Sequence, residues 1–158
     1  MDLFVIFLAT KLYMFVIAIG AAVYLWSSRL GRARLRNVSI LALPLAFVIS
    51  RIANALFENP RPFVDGHMTA LIAHAPDNGF PSDHTLLTVT IGAIVYTHNK
   101  LAGLILIGLG ILVGTGRVLA GVHHIIDIVG SVVIAFFATY VAVYALRTFC
   151  APAANVRD

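Results

Sequence analysis

Apolar residues fill five long runs along the chain, at roughly 12–28, 38–57, 81–98, 101–117 and 123–146. Each is close to the ~20 residues that a helix needs to cross a bilayer. In lipid such a run must be helical, because only its own backbone can satisfy its N–H and C=O groups. Residues 3–10, "LFVIFLAT", are apolar as well. With Lys11 at the join, they either extend the first helix outward or lie at the interface. Polar links separate the runs: "SRLGRARLRN", the long segment 58–80, "HNK" at 98–100 and a very short turn around 117–122. The pattern predicts an all-α integral membrane protein, a compact bundle of about five to six transmembrane helices. It reads as one domain over 1–158, with the first span and a basic link in 1–37 and the main helix bundle in 38–150. In "GILVG" (110–114) two glycines stand one turn apart, which permits close helix contact.

Composition agrees with a membrane setting. Of 158 residues, 60% are hydrophobic and 11% charged, against roughly a quarter charged in soluble domains. The net charge of +4 does not point to nucleic acid, because four of the eleven basic residues sit in "RLGRARLR" (29–36), between two apolar runs. By the positive-inside rule, Arg29, Arg32, Arg34, Arg36, Lys100, Arg147 and Arg157 face the cytoplasm. Five spans then put the N-terminus outside. The single cysteine, Cys150, excludes an internal disulfide and reads as a packing residue at a helix end. The N-terminus has neither a positive n-region nor a small-residue cleavage site, so a removable signal peptide is not expected.

On this topology the unusual polar residues gather on the outer side: "ENPRPF" (58–63), "FPSDH" (80–84) and "GRVLAGVHHIID" (116–127). Pro81 suits a first helical turn. That turn offers free N–H groups and a positive dipole end to an anion. Ser82 adds a hydroxyl, and His84 a group that titrates near neutrality. His123 and Asp127 are four apart and share a helix face. A carboxylate on one ring nitrogen leaves the other as a nucleophile or base. Arg61 is held between two prolines, and Arg117 lies six residues before His123. Arginine forks match phosphate oxygens. Taken singly, each residue has a plainer reading: Ser82 and Asp83 as a helix cap, His123 or His124 as interfacial residues, the arginines as headgroup anchors. Asp127 within an apolar span does not. Together they describe a phosphate pocket containing a nucleophile.

"RP" at 61–62, "PSDH" at 81–84 and "GR-x5-H-x3-D" at 116–127 resemble the three-part signature of the type 2 phosphatidic acid phosphatase superfamily. The resemblance covers about 40–155. Three positions depart from the usual form: Asn54 stands where lysine is expected, Asp83 replaces a glycine and Gly116 a serine. "NPRPFV…LIAHAPDNGFPSDHT" is more similar to the bacterial undecaprenyl-diphosphatase branch, where PSDH is ordinary. That branch usually carries more chain before the first span, so a trimmed N-terminus is expected here.

The resemblance implies a two-step hydrolysis without metal or other cofactor. His123 attacks the terminal phosphorus and forms a phosphohistidine, and Asp127 orients His123. His84 protonates the leaving oxygen and then activates water. Arg61, Arg117, Ser82 and the helix amides hold the phosphate oxygens. Asp83, Asn54 and Arg51 join them as substrate-binding candidates: Arg51, Asn54 and Glu58 are spaced to share a face of the second span, and Arg51 would supply the charge of the missing lysine. The alternative for Arg51 is a structural pair with Asp83 or Glu58. No catalytic role is expected for His67, His74, His98 or His124, although His74 and Asp77 would shape the mouth. The implied function is hydrolysis of undecaprenyl diphosphate at the outer face of a bacterial inner membrane, with the lipid bilayer and an isoprenyl or glycerophospholipid phosphate as partners. Phosphatidylglycerol phosphate and phosphatidate are alternative substrates. A small transporter is the non-enzymatic alternative. It would need polar residues near the midplane of several helices, whereas here they cluster at one face.

Overall fold

A computed structural model describes residues 1–149; Cys150 and Arg157 lie outside the described residues. The described chain is six helices: α1 Asp2–Thr10, α2 Leu12–Trp26, α3 Arg29–Leu56, α4 Asp83–Tyr96, α5 Lys100–Leu119 and α6 Ile125–Phe149. The fold is therefore the expected all-α membrane bundle. Three helices (α3, α5 and α6) are long and apolar enough to span a membrane. The α1–α2 pair qualifies as a fourth if taken together across its 43° bend. At 14 residues α4 is shorter, and it packs against α2, α3, α5 and α6 at the centre of the bundle.

Both boundaries of α3 differ from the sequence pattern. The basic stretch 29–36 is not a link; it forms the first two turns of α3. Ser28 caps that helix, its side chain accepting from the Gly31 N–H at 3.1 Å. Arginine is a good helix former, and its long side chain reaches polar surroundings while its stem stays on the helix. Charge alone therefore does not mark a loop. At the other end α3 stops at Leu56, so Glu58 does not share a helical face with Arg51 and Asn54.

Residues 2–10 are a packed helix rather than an interfacial tail. Val5, Leu8 and Ala9 are buried, and Val5 and Ala9 cluster with Ala120 and Val122. This contact explains one departure in the third motif. A Cβ at Gly116 would lie 2.6 Å from Leu8 Cβ and 2.9 Å from the Ala9 backbone nitrogen. A serine there would push α1 away. The "GILVG" glycines play the packing part expected of them: Cβ atoms at Gly110 and Gly114 would collide with Val89 and Ile128 respectively.

Helix order sorts the polar residues to two ends. The α2–α3 turn and the α4–α5 turn lie together, joined where Ser27 Oγ meets His98 Nε2 at 3.1 Å. Segment 57–82 and the α5–α6 turn meet at the opposite end, where Leu71 N–H donates to Ala120 O at 2.9 Å.

Candidate active site

Segment 57–82 is laid across the end of the bundle by its own asparagines. Asn78 Oδ1 accepts from the Asn59 and Phe80 N–H groups, each at 3.0 Å. Its Nδ2 donates to Asn54 O and Phe57 O, each at 2.8 Å. Asn54 Nδ2 donates to Phe80 O at 2.6 Å. So Asn54 pins the turn that leads into Pro81 and α4.

α6 begins just after His123. Asp127, in its first turn, is fully buried. Its Oδ2 accepts from His124 N–H at 2.8 Å and lies 3.1 Å from His123 Nδ1. Its Oδ1 accepts from Asn59 Nδ2 at 2.7 Å. Three donors satisfy an acceptor-only carboxylate. His123 Nε2 lies 3.1 Å from Arg61 Nη1. A guanidinium can only donate, so Nε2 is the unprotonated nitrogen and Nδ1–H points at Asp127. The geometry thus selects the tautomer with a free lone pair facing the arginine. His123 sits in the turn before α6, and its pKa is pushed below the usual histidine value. Burial is the main cause; Arg117 and Arg61 add to it, against the opposing pull of Asp127.

Arg61 is 5% exposed. Its Nε donates to Asp77 at 2.8 Å and its Nη1 to Val122 O at 2.8 Å. Burial works to raise the Asp77 carboxyl, but the hydrogen bond and the charge of Arg61, with smaller help from the backbone and His74, together hold it below its ordinary range. Arg117 is 4% exposed, and its Nη1 reaches Ala9 O at 3.5 Å. Its Nε is buried without a hydrogen-bond partner. A buried orphan donor on a cation is costly, and an anion in the adjacent cavity is the natural partner.

That cavity, about 180 Å³, is bounded by Arg51, Arg61, Arg117, His84 and His123 among others, with His74 and Asp77 at its mouth. His84 lies in the first turn of α4, with its ring edge-on to Tyr13 at 4.9 Å between centroids. His74 is 6.2 Å from the His123 ring. Burial, then Arg61, lowers its pKa. Arg51, Asn54 and Asp83 also line the cavity, and Arg51 Nη2 pairs with Asp83 Oδ1 at 2.5 Å. Ser82 is fully buried behind the lining. Its hydroxyl accepts from Thr85 at 3.1 Å and its carbonyl from Ser131 at 2.9 Å, tying α4 to α6. His98 belongs to the far end, and His67 and His124 meet at Asp65 outside the cavity.

Two contacts have no counterpart in the sequence reading. Asn59 holds Asp127 across 68 positions, and Tyr13 meets His84 from a helix outside the three motifs. No local spacing signals either pair. Asn59 did stand in the quoted "ENPRPF", but nothing in that string names its partner.

Comparison with known proteins places the chain in a family. A protein of Bacillus licheniformis named "Bacitracin transport permease protein BcrC" is 32% identical over 78% of this chain and 62% of its own. "Undecaprenyl-diphosphatase BcrC" of Bacillus subtilis (strain 168) is 32% identical over 72% of this chain and 58% of its own. The match thus spans about three-fifths of the length of these relatives. No solved structure matches the chain. The PAP2 superfamily matches residues 37–149, which hold Arg61, His84, Arg117, His123 and Asp127 but leave out α1 and α2; on that match, and on the three motifs now seen around one cavity, the chain belongs to the PAP2 superfamily.

Proposed function

We propose that the protein is a membrane lipid-phosphate phosphatase that hydrolyses undecaprenyl diphosphate to undecaprenyl phosphate and phosphate. The observation that carries this reading is the unprotonated Nε2 of His123, backed by Asp127 and opening on two buried arginines, one with an unpartnered Nε. In the first step Nε2 bonds to the terminal phosphorus as the P–O bond to the lipid monophosphate breaks. Arg61 Nη1, which caps Nε2 at rest, moves to a phosphate oxygen. Arg117 Nε and the α4 amides take further oxygens, where charge gathers in phosphoryl transfer. His84 gives its proton to the departing oxygen. In the second step His84 takes a proton from water, water oxygen bonds to phosphorus, and the P–N bond breaks.

The isoprenyl diphosphate rests on the name of one relative, said of that protein, and on the PSDH form of the second motif. The active site faces the extracytoplasmic side of a bacterial inner membrane, since Arg29, Arg32, Arg34 and Arg36 lie at the far end of the bundle. The transport name of the other relative invites a carrier reading. Yet all the buried charges among the described residues (Arg61, Arg117, Asp127) belong to this one pocket. They do not mark a path across the bundle.

The test is phosphate release by detergent-solubilised protein, with chelator present, from an isoprenyl diphosphate, phosphatidylglycerol phosphate and phosphatidate. The reading expects release, fastest from the diphosphate. A clear preference for phosphatidate moves the function to glycerophospholipid metabolism, and no release from any removes the enzyme. For sidedness, with Cys150 replaced, Asp77→Cys should react with an impermeant thiol reagent on intact cells. Arg34→Cys should react only after permeabilisation. The reverse labelling puts the pocket in the cytoplasm.

A further inference from the structure

The cavity has cations at two depths. Arg61 and Arg117 are buried around His123. Arg51 lies at the lip, on the lipid side: its side chain is 43% exposed. Its helical neighbours Phe47, Val48 and Ile52 are all exposed on the outside of the bundle. Its guanidinium packs over the Phe47 ring at 5.4 Å. Nη2 pairs with Asp83, and Nε reaches Ser50 Oγ at 3.4 Å. Nη1 has no protein partner among the described residues. A cation at the edge of an apolar surface is unfavourable, and an exposed ion pair is a weak reason to keep one there.

Position suggests a stronger reason. With the terminal phosphate on His123, the leaving group departs past His84 towards the bilayer. Asp83 is the chain neighbour of His84, and its partner is Arg51. A monophosphate ester passes from phosphorus to its ester oxygen and then directly to apolar chain at this point. A diphosphate places a second phosphate there. We propose that Arg51 binds this second phosphate, exchanging Asp83 for it, so that the pocket selects lipid diphosphates over monophosphates. The inference rests on the phosphatase reading above and adds a specificity-determining residue to it. It also gives Asp83 a part. Asp83 holds the guanidinium at the lip. When the phosphate arrives, the carboxylate, whose side chain is 66% exposed, turns to water. Because the leaving lipid monophosphate gains charge as the P–O bond breaks, Arg51 acts in the transition state as well as in binding.

The experiment compares farnesyl diphosphate and farnesyl monophosphate in the same micelles, by phosphate release and by equilibrium binding. For Arg51→Gln, kcat/KM on the diphosphate should fall about 10–100-fold, the scale of lost charged hydrogen bonds. The monophosphate value should change less than about threefold, within the range of a weak exposed pair. Arg51→Lys should restore part of the diphosphate rate, keeping charge without the fork. Equal losses on both substrates, or none on either, overturn the proposal. Binding separates it from the reading beneath it. If wild-type protein cleaves neither compound but Arg51→Gln selectively loses diphosphate affinity, the subsite stands and the phosphatase reading falls. If affinity for both is unchanged by Arg51→Gln, the subsite falls whatever the activity.

Discussion

The two ends of the bundle carry similar residue types in opposite states. At one end Arg61, Arg117, His123 and Asp127 are buried and bonded to partners far away in sequence. At the other end Ser27 and His98 meet at an exposed contact, and Arg32 bonds the nearby carbonyls of Leu25 and Ser27. Arginines there settle on local carbonyls and polar surroundings, and their sum sets orientation. Arg61 and Arg117 in the pocket are deprived of water, and Arg117 leaves one donor unmet. Desolvation with a specific partner marks a functional site; charge count alone does not.

The largest effect should come from the pocket's centre. His123→Ala should lower phosphate release by about 10⁴-fold or more, as for other residues that act as one catalytic unit. Asp127→Asn should cost about 10²–10⁴-fold, because an amide can favour the wrong imidazole tautomer while preserving shape. Initial rates on one diphosphate substrate check both. If Asp127→Asn is nearly silent, the tautomer argument fails.

The relation of those two residues is readable because it is local, four positions apart, but they do not share a helix face: His123 lies in the turn before α6 and Asp127 in its first turn. The arginines and the histidine of the short motifs are likewise local signals, and the cavity gathers Arg61, His84 and Arg117 around His123; Ser82, expected beside them, instead lies buried behind the lining and accepts from Thr85. What sequence could not supply were contacts fixed by tertiary packing. Asn59 reaches Asp127 only because Asn78 and Gly79 fold the 57–82 segment back: Gly79 N–H donates to Asn59 O at 2.9 Å. Tyr13 reaches His84 because α2 packs against α4. The unbroken start of α3 shows the opposite case: a string of arginines looks like a link, whereas Ser28 as cap and the good helix formers after it favour helix.

The missed contact supplies the next effect in size. Asn59→Leu should leave Asp127 Oδ1 without its donor, at a cost of about 1–3 kcal/mol. Turnover should fall about 5–100-fold if that cost is felt by the His123–Asp127 pair. A thermal-unfolding midpoint measured beside the rate separates the two places it can act. An unchanged rate with a lower midpoint would make Asn59 purely a support of the fold.

A smaller effect concerns pH. His123 attacks only when neutral, and burial together with Arg117 and Arg61 lowers its pKa. A lowered pKa extends the neutral form towards acid. The acid limb of kcat/KM assigned to His123 should therefore fall below the ordinary histidine value of ~6.5. Arg61→Gln should move that limb upward while lowering the rate. A limb above 6.5 in the wild type contradicts the electrostatic picture. The smallest effect belongs to the far end: His98→Ala should leave turnover within about twofold, as for surface changes away from a site. A large loss there would mean that the two ends are coupled.

The central claim is that His123 itself carries the phosphoryl group. Rapid quenching of purified protein in the first turnover, with farnesyl diphosphate radiolabelled in its terminal phosphate, tests it most directly. The account predicts labelled protein whose bond is stable in base and labile in acid, formed by the wild type and absent from His123→Ala. Label that persists in His123→Ala, or free phosphate accumulating from the wild type with no labelled protein at any time, would contradict it.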